Sequence, residues 1–256
     1  MVRIATWNVN SIKARLPNVM DWLKSAAPDV LLLQELKCQN DQFPFLEFQS
    51  MGYRAEVHGQ KSYNGVAILS RLPMADVVRD LPEADGDEQS RYIEATVAGV
   101  RIASIYLPNG NPAPGDKFDY KLRWMRRLVT HTRTLLAAEQ PFVLAGDYNV
   151  CPTDDDVYDP VNWRADALCR PESRALFREL CHLGLTDAFR ILHPEPHRYT
   201  FWDYQAGAWQ RDLGLRIDHL LLSPQAADRL IACDIDKDPR GRDKASDHVP
   251  VWVELA

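Results

Sequence analysis

Short apolar runs that end at an acidic or amide side chain are the main pattern of this chain. Four such runs lie at residues 4–7, 30–33, 102–105 and 142–145. A fifth run, at 249–255, begins directly after Asp247 and His248. Runs this apolar are typical of strands buried inside a sheet. The polar residues that follow the first four runs include Asn8, Glu35, Asn109, Asp147 and Asn149.

Carboxylates at the ends of buried strands would be partly desolvated and close to one another. This arrangement is costly unless the carboxylates bind a cation or another positive partner. The repeated pattern therefore predicts one oxygen-lined metal site at the edge of a packed sheet.

The remaining periodicity predicts further strands and three helices. Strands are predicted at 53–57, 65–70, 92–97, 101–106, 142–146, 199–202, 216–222 and 249–255. Apolar positions at three- and four-residue steps predict helices over 18–27, 116–139 and 173–183. The stretch from 53 to 106 offers strands without helices between them, so a simple alternating βαβ fold fits less well. The pattern favours two sheets packed together with helices outside them.

Composition narrows the function classes without choosing one. With 46% apolar and 26% charged residues, the 256-residue chain has the make-up of an ordinary globular protein. Its net charge of −6 argues mildly against a nonspecific nucleic-acid coat protein. It does not exclude a nucleic-acid enzyme, because a cluster of metal-binding acids biases the total. We find no secretory leader and no apolar stretch near the roughly 20 residues that span a bilayer, so no membrane partner is expected.

The five cysteines are odd in number and widely spaced, and none forms a CxxC pair. This spacing favours reduced thiols over a disulfide framework or a zinc site. We therefore expect a cytoplasmic protein.

Glu35 and Asp247 are the principal candidates for metal ligands. Glu35 follows four apolar residues, where an unpaired carboxylate would be expensive. Both also have an ordinary interpretation, as a surface acid past a strand end or a loop acid in a turn. Hard oxygen ligands suit Mg²⁺ or Mn²⁺ far better than zinc.

The segment Gly146–Asn149 suggests proton transfer. Asp147 and Asn149 are two residues apart and project from the same side of an extended chain. An acid there can take a proton from water, and an amide can hold that water or a phosphate oxygen. The ordinary alternative is an Asx turn after a strand.

His248 differs from the other histidines because it follows Asp247 and opens the final strand. If Asp218 reaches it, the pair would fix the tautomer and keep the imidazole charged beside a phosphate. The sequence alone leaves that contact open, and a lone histidine is more often structural or solvated.

Three further features have mainly ordinary interpretations. The acidic run 154–156 lacks calcium-loop spacing and is interpreted as a solvated loop. The basic face between Lys117 and Arg133 is interpreted as a solvated helix face, although it could follow phosphates. In the aromatic cluster 199–204, half of the rings are expected in the core and half could stack on a sugar or base.

Six short motifs in order resemble the exonuclease III family of apurinic/apyrimidinic endonucleases, within the endonuclease/exonuclease/phosphatase superfamily. They lie at residues 7–10, 33–35, 64–69, 146–149, 215–218 and 246–248, and the likeness runs from Arg3 to Leu255. The resemblance implies a single domain over 1–256, an α/β fold of the α+β kind. It implies a four-layer sandwich of two mixed β-sheets packed face to face, with helices on both outer faces.

The activity that the resemblance implies is Mg²⁺-dependent hydrolysis of the DNA phosphodiester 5′ to an abasic site, leaving a 3′-hydroxyl. Exonucleolytic 3′→5′ removal and clearing of blocked 3′ ends accompany it. The implied partner is double-stranded DNA with abasic sites or 3′ ends, bound by a monomer.

The resemblance also implies a role for each candidate residue. The metal ligands would be Glu35, Asn8 and Asp247. The catalytic residues would be Asp147, Asn149, His248, Asp218 and Tyr106. Those facing the substrate would be Asn109, Phe201, Leu215 and Ile217. Some relatives carry tryptophan where this chain has Leu215, which leaves open the balance between abasic-site incision and exonuclease activity.

Two other functions compete with this assignment. A phosphomonoesterase of inositol lipids, or a sphingomyelinase, would share the metal site but not a DNA surface. The chain lacks membrane-binding apolar loops, and its motifs at 65–69 and 215–218 favour the DNA-repair branch. A noncatalytic scaffold is the other alternative, and it is disfavoured because Glu35, Asp147, Asp247 and His248 are all present.

Overall fold

The computed structural model describes residues 1–84 and 86–256, and strands and helices are mixed along this part of the chain. The strands are β1 (Val2–Asn8), β2 (Val30–Gln34), β3 (Arg54–His58), β4 (Val66–Ser70), β5 (Met74–Arg79), β6 (Tyr92–Val97), β7 (Val100–Tyr106), β8 (Phe142–Asp147), β9 (Thr186–Asp187), β10 (Asp218–Leu222), β11 (Leu230–Ile235) and β12 (Val251–Leu255). The α-helices are α1 (Ile12–Ala26), α2 (Phe45–Ser50), α3 (Asp116–Ala137), α4 (Pro160–Trp163), α5 (Pro171–His182), α6 (Ala188–Leu192) and α7 (Pro224–Ala227). Short 3₁₀ turns lie at Asn40–Gln42, Asp154–Asp156 and Asp238–Gly241.

The strands form two six-stranded sheets of mixed direction. The first has the order β11-β12-β1-β2-β4-β3, and the second has the order β5-β6-β7-β8-β10-β9. The pairs β1/β2 and β7/β8 are parallel, whereas the remaining neighbours are antiparallel.

Alternating side chains of each sheet fill two different apolar layers. Ile4 and Leu32 of the first sheet share one buried cluster with Ile102 and Leu220 of the second, so the sheets pack face to face. The opposite faces carry helices: α1 and α2 cover the first sheet, and α3 and α5 cover the second. The predicted four-layer sandwich of two mixed sheets with helices on both outer faces is therefore confirmed.

Most predicted elements are present, but two strand predictions need correction. Residues 199–202 do not form a regular strand, because Phe201 makes only single bridge pairs with Leu215 and His248. The strand predicted from residue 216 begins at Asp218. The sequence pattern also missed β5, β9 and β11, and most of β5 is solvent-exposed, so it carries little apolar signal.

Helix α1 begins at Ile12 rather than at residue 18. The Ser11 hydroxyl accepts a hydrogen bond from the Ala14 amide, 3.4 Å away, which caps the first turn. Pro17 lies inside the helix and cannot donate to the carbonyl of Lys13. Lys13 is exposed, so water can satisfy that carbonyl.

A polar link joins the two sheets near their functional edge. Gln34 on β2 donates to the hydroxyls of Thr6 (3.0 Å) and Ser104 (2.9 Å), and Ser104 lies on β7 of the other sheet. Ser104 in turn donates to the Leu33 carbonyl at 3.1 Å. Because buried polar groups must find partners, these bonds favour one relative placement of the sheets.

A buried ion cluster shows that the acidic run 154–156 is not simply a solvated loop. Asp156 is fully buried and accepts from Arg216 at 2.7 Å and from Arg190. Arg216 also donates to Asp187 at 2.8 Å. Burial alone would raise the pKa of Asp156, but the guanidinium of Arg216 outweighs it and holds the pKa well below its usual range. The prediction of a solvated loop was therefore wrong for Asp156.

His219 lies beside this cluster as a neutral ring. Its Nε2 lies 2.8 Å from the Val150 carbonyl and its Nδ1 lies 3.1 Å from Arg216. Burial, reinforced by the Arg216 guanidinium, lowers the pKa of His219 to about 4. The ring therefore donates to Val150 and accepts from Arg216 at neutral pH.

No helix within the two described ranges is long and apolar enough to cross a membrane.

We expect His219 to make the protein lose stability in mild acid. An unfolded histidine has a pKa of about 6.5, whereas the pKa in the folded state is about 4. The stabilisation that neutral His219 contributes to the fold is therefore complete above the unfolded-state pKa. It is lost as the pH falls towards the folded-state pKa, which lowers the free energy of unfolding by ~3 kcal/mol. Urea unfolding of the wild type and of His219→Gln, measured between about pH 7 and about pH 4, tests this.

The glutamine can still donate to the Val150 carbonyl but cannot titrate, so the stability gap between the two proteins should shrink in acid. His182→Gln, at an exposed position on α5, serves as the control and should follow the wild-type curve. A constant gap between wild type and His219→Gln across the range would contradict the assignment.

Candidate active site

Six strands bring their polar ends to one edge of the sandwich. The carboxyl ends of the parallel pairs β1/β2 and β7/β8 point the same way, so Asn8 lies beside Gln34 and Tyr106 beside Asp147. Asp218, at the start of the antiparallel β10, pairs with Asp147. The segment before β12 reaches the same edge, where it supplies Asp247 and His248.

Glu35 lies at the turn immediately after β2, where the backbone adopts a left-handed φ of 54°. Its Oε1 accepts from Asn8 at 3.1 Å and from the Tyr106 hydroxyl at 2.7 Å. Its Oε2 lies 3.0 Å from the Lys37 amine. Burial alone would raise the pKa of Glu35, but Lys37 and the two hydrogen bonds outweigh it and lower the pKa, so the group is a carboxylate.

His248 lies between two carboxylates. Its Nδ1 lies 2.9 Å from Asp218, and its Nε2 lies 3.7 Å from Asp147. Asp218 is fixed from behind by the Thr200 hydroxyl, which donates to it at 2.6 Å. The contact between Asp218 and His248, which the sequence left open, is present.

Burial and neighbouring charges act differently on His248 and on Asp147. Burial would lower the pKa of His248, but Asp218 and Asp147 raise it to about 10, so the imidazole is charged at neutral pH. Burial raises the pKa of Asp147 to about 7, against the opposing field of His248. Asp147 is thus poised near the pH at which a carboxylate can accept and return a proton.

Asn149 and Asn109 continue the polar surface away from Asp147. The Asn149 amide N–H donates to Asp147 at 2.9 Å, and its side chain donates to the Leu107 carbonyl at 2.9 Å. Asn109 donates to the Asn149 side-chain oxygen at 3.0 Å. Gly146 lets β8 approach β7 at this edge, since a Cβ there would lie 1.9 Å from the Ile105 carbonyl oxygen of β7.

Asp247 faces the site from the loop before β12. Its Oδ1 accepts from the Asn10 side chain at 3.1 Å and lies 3.4 Å from the Ser246 hydroxyl. Ser246 donates to the Asn8 carbonyl at 2.7 Å, which joins this loop to the end of β1.

Two groups of side chains could hold a cation. Ligand-type atoms of Asp147, Asp218 and His248 lie within 4.8 Å of one another, all of them buried. His248 is already paired with Asp218, however, and its positive charge would repel a metal ion. Glu35 and Asp247 instead offer carboxylate oxygens to an open cleft, which is the donor chemistry that Mg²⁺ and Mn²⁺ prefer.

The cleft has a volume of about 300 Å³ and is lined by most of the predicted residues. Asn8 and Asp218 lie beneath its surface instead. The cleft also includes side chains that the sequence did not indicate, because no local pattern distinguishes them from loop residues. These are Asn111, Trp163, Asp166, Leu168 and Asp203.

Phe201, Leu215 and Ile217 form an apolar wall of this cleft. The Phe201 ring packs edge-on against His248, with 5.0 Å between the ring centroids. Of the aromatic cluster, Tyr199 and Trp202 are buried in the core and Phe201 faces the cleft, as the mixed interpretation predicted.

Lys121 corrects another sequence-based interpretation. The sequence pattern places it on the solvated face of α3, yet its side chain is completely buried behind the cleft. Burial lowers the pKa of its amine to about 7, opposed by the fields of Asp147 and Asp166. The other members of that face are solvated or half-buried, which the helical period did predict.

Comparison with known proteins agrees with this geometry. The model of the endonuclease/exonuclease/phosphatase family matches residues 5–248. Exodeoxyribonuclease III of Haemophilus influenzae is 31% identical over 266 aligned positions, covering 99% of this chain and 100% of the relative.

Two solved structures are similar over their whole length. The 3′ phosphatase NExo from Neisseria, bound to product DNA hairpin, has a TM-score of 0.97 at 43% identity, covering 100% of both chains. An AP endonuclease from Archaeoglobus fulgidus has a TM-score of 0.96 at 38% identity, covering 100% of this chain and 99% of that one. The chain therefore belongs to the endonuclease/exonuclease/phosphatase family and, within it, to the exonuclease III and AP endonuclease branch of DNA-repair phosphodiesterases.

Proposed function

We propose that this protein hydrolyses the DNA phosphodiester 5′ to abasic sites in a Mg²⁺-dependent reaction that leaves a 3′-hydroxyl. It also removes nucleotides 3′→5′ and clears blocked 3′ ends. The observation that carries this proposal is the chain from Asp147 through His248 to Asp218, which lies beside Glu35 at the floor of one open cleft. Phosphodiester cleavage needs an activated water, neutralisation of phosphate charge and an in-line geometry.

Glu35 and Asp247 would hold the cation, with Asn8 near it, hydrogen-bonded to Glu35 beneath the cleft surface. A bound Mg²⁺ would supply Lewis-acid stabilisation of charge on the phosphate and the leaving oxygen. The donor set fits, because both acids face the cleft and Tyr106, Asn8 and Lys37 keep Glu35 ionised. Mn²⁺ has similar ligand preferences and could replace Mg²⁺.

Asp147 acts as the general base for the attacking water. Its raised pKa lets it take a proton near neutral pH, and the backbone of Asn149 fixes one of its oxygens. The Asn149 side chain, held by Leu107 and Asn109, positions the water or a phosphate oxygen.

His248 stabilises negative charge on the phosphoryl oxygens as an imidazolium. Asp218 and Asp147 raise its pKa to about 10 and so keep the charge in place. Asp218 also fixes the orientation of the ring, since it pairs with Nδ1. Tyr106 aligns Glu35 through its hydroxyl and lies at the cleft, where it would contact the phosphate.

The apolar wall explains selection of a sugar without a base. An abasic sugar turned out of the helix is smaller than a nucleotide, so shape can select it. Phe201, Leu215 and Ile217 would line the pocket for this sugar, and Asn109 would contact the DNA strand beside it. The relatives include both an AP endonuclease and a 3′ phosphatase, so the two activities must be measured separately.

The direct test is incision of a duplex with one abasic analogue, with Mg²⁺ and with EDTA. A second duplex with a 3′-phosphate and a phosphoinositide substrate are run in parallel. Mg²⁺-dependent nicking 5′ to the abasic analogue is the expected result. Release of phosphate from the phosphoinositide with both duplexes left intact would overturn the proposal in favour of a lipid phosphatase.

Glu35→Ala should lower incision by at least ~10²-fold and raise the Mg²⁺ concentration needed, because the charge stabilisation supplied by the cation is lost. The melting temperature should stay close to that of the wild type, since Glu35 lies at the cleft surface. Incision rates across a Mg²⁺ titration measure the effect. Glu47→Ala, on the exposed side of α2, is the matched control. Wild-type incision at low Mg²⁺ by Glu35→Ala would refute the metal assignment.

Asp147→Asn and His248→Ala should each slow single-turnover cleavage by ~10²–10⁴-fold, because both groups act in the transition state. The Kd for uncleaved abasic duplex should change far less. Rapid-quench kinetics at saturating enzyme and a binding titration separate the two quantities. Normal cleavage by either variant once its DNA is saturated would make that residue a binding group.

Phe201→Ala should lose incision at the abasic site, because the pocket for the bare sugar loses its aromatic wall. It should cost little stability, because Phe201 is only partly buried. Incision and melting temperature are measured on the same preparation. Phe189→Ala is the contrasting variant: that ring is 1% exposed in the core, and its loss should cost ~3–5 kcal/mol. If Phe201→Ala instead melts like Phe189→Ala and still cuts normally where it is folded, Phe201 belongs to the core.

A further inference from the structure

Lys121 is a buried amine that no step of the proposed reaction uses. It lies on the inner face of α3, and its side chain has no exposure to solvent. Among the described residues, no carboxylate lies within 4.0 Å of its amine. An ammonium in such a place is expensive unless every N–H finds an acceptor.

The amine contacts three backbone carbonyls, one for each of its donors. These belong to Asn149 at 2.6 Å, Asn109 at 3.1 Å and Ala167 at 3.3 Å. Three carbonyl acceptors are the full complement that an ammonium can satisfy. The three residues come from segments far apart in the sequence, which the lysine joins at one point.

Each of these three segments supplies side chains to the cleft. Asn109 and Asn149 line it directly, and Ala167 lies between Asp166 and Leu168, which also line it. Movement of any of the three carbonyls would therefore move a side chain that faces the substrate.

The packing around the lysine leaves little room for another arrangement. Gly110 follows Asn109 with a φ of 90°, and a Cβ there would lie 2.7 Å from Lys121 Cδ and 3.2 Å from the Ala167 side chain. The absence of a side chain at Gly110 lets the lysine pass between the two loops. The contact thus depends on both the cation and this glycine.

We propose that Lys121 is a positioning residue that fixes Asn149, Asn109 and the 166–168 wall in the geometry needed for cleavage. This inference rests on the proposed phosphodiester hydrolysis. Displacement of about 1 Å at a reacting group can cost ~10²-fold in rate, so loss of this single link is enough to slow the chemistry. A lysine that only stabilised the fold would affect the melting temperature and not the rate of the folded protein.

Lys121→Met tests the proposal, because methionine keeps an unbranched chain but donates no hydrogen bond. Three quantities are measured below the melting transition: the single-turnover cleavage rate at saturating enzyme, the Kd for uncleaved duplex, and the side-chain amide NMR signals of Asn109 and Asn149. We expect the rate to fall by ~10²-fold and the Kd to stay within about threefold. Both amide signals should shift.

Lys117→Met is the matched control, since it makes the same substitution at an exposed position of the same helix. It should leave the rate and both amide signals unchanged. If Lys121→Met does not fold, Lys121→Gln replaces it, because a shorter neutral amide cannot reach all three carbonyls.

The outcomes separate the two proposals. Wild-type rates and unshifted amide signals in the folded Lys121 variant would overturn the positioning role. Failure of the wild type itself to cleave any DNA substrate would overturn the proposed function instead, and the NMR comparison would still decide whether Lys121 fixes the two amides.

Discussion

The site depends on one charged imidazole buried between two carboxylates. His248 can keep its proton in a nearly dry environment only because Asp218 and Asp147 lie on either side of it. Burial makes the charged imidazole costly to keep, but it also strengthens the interaction of that charge with nearby groups. The field of an ion is screened less where water is excluded. For Asp147, burial disfavours the charged carboxylate and raises its pKa to about 7, where the group can exchange a proton.

Hydrogen bonds from the surrounding segments hold these charged residues in place. Thr200 donates to Asp218 from behind, and the Trp7 indole donates to the His248 carbonyl at 3.0 Å. Ser246 joins the loop before β12 to the end of β1. Each bond satisfies a buried polar atom, and together they fix segments that are hundreds of residues apart at one sheet edge.

Buried basic side chains join irregular segments elsewhere in the fold. Arg216 joins the 154–156 turn to β9 through two carboxylates, whereas Lys121 joins three loops through carbonyls alone. The two side chains differ in how firmly they hold their protons. The Arg216 guanidinium is paired with two acids and remains charged under all ordinary conditions, whereas burial without a paired acid lowers the pKa of the Lys121 amine to about 7.

The sequence by itself determined most of the buried strands, the three longest helices and the residues that gather at the strand ends. It did so because burial on both faces of a strand leaves a continuous apolar run, and a polar residue ending that run stands out, as Glu35 and Asp147 do. Local pattern could not reveal that Asp156 is buried or that Lys121 points inward, since both lie in stretches of ordinary polar composition.

Only the tertiary structure decided those two positions and the membership of the cleft wall, including Trp163 and Asp166. Whether a charged side chain meets water or a partner depends on segments distant in sequence, and periodicity carries no information about them.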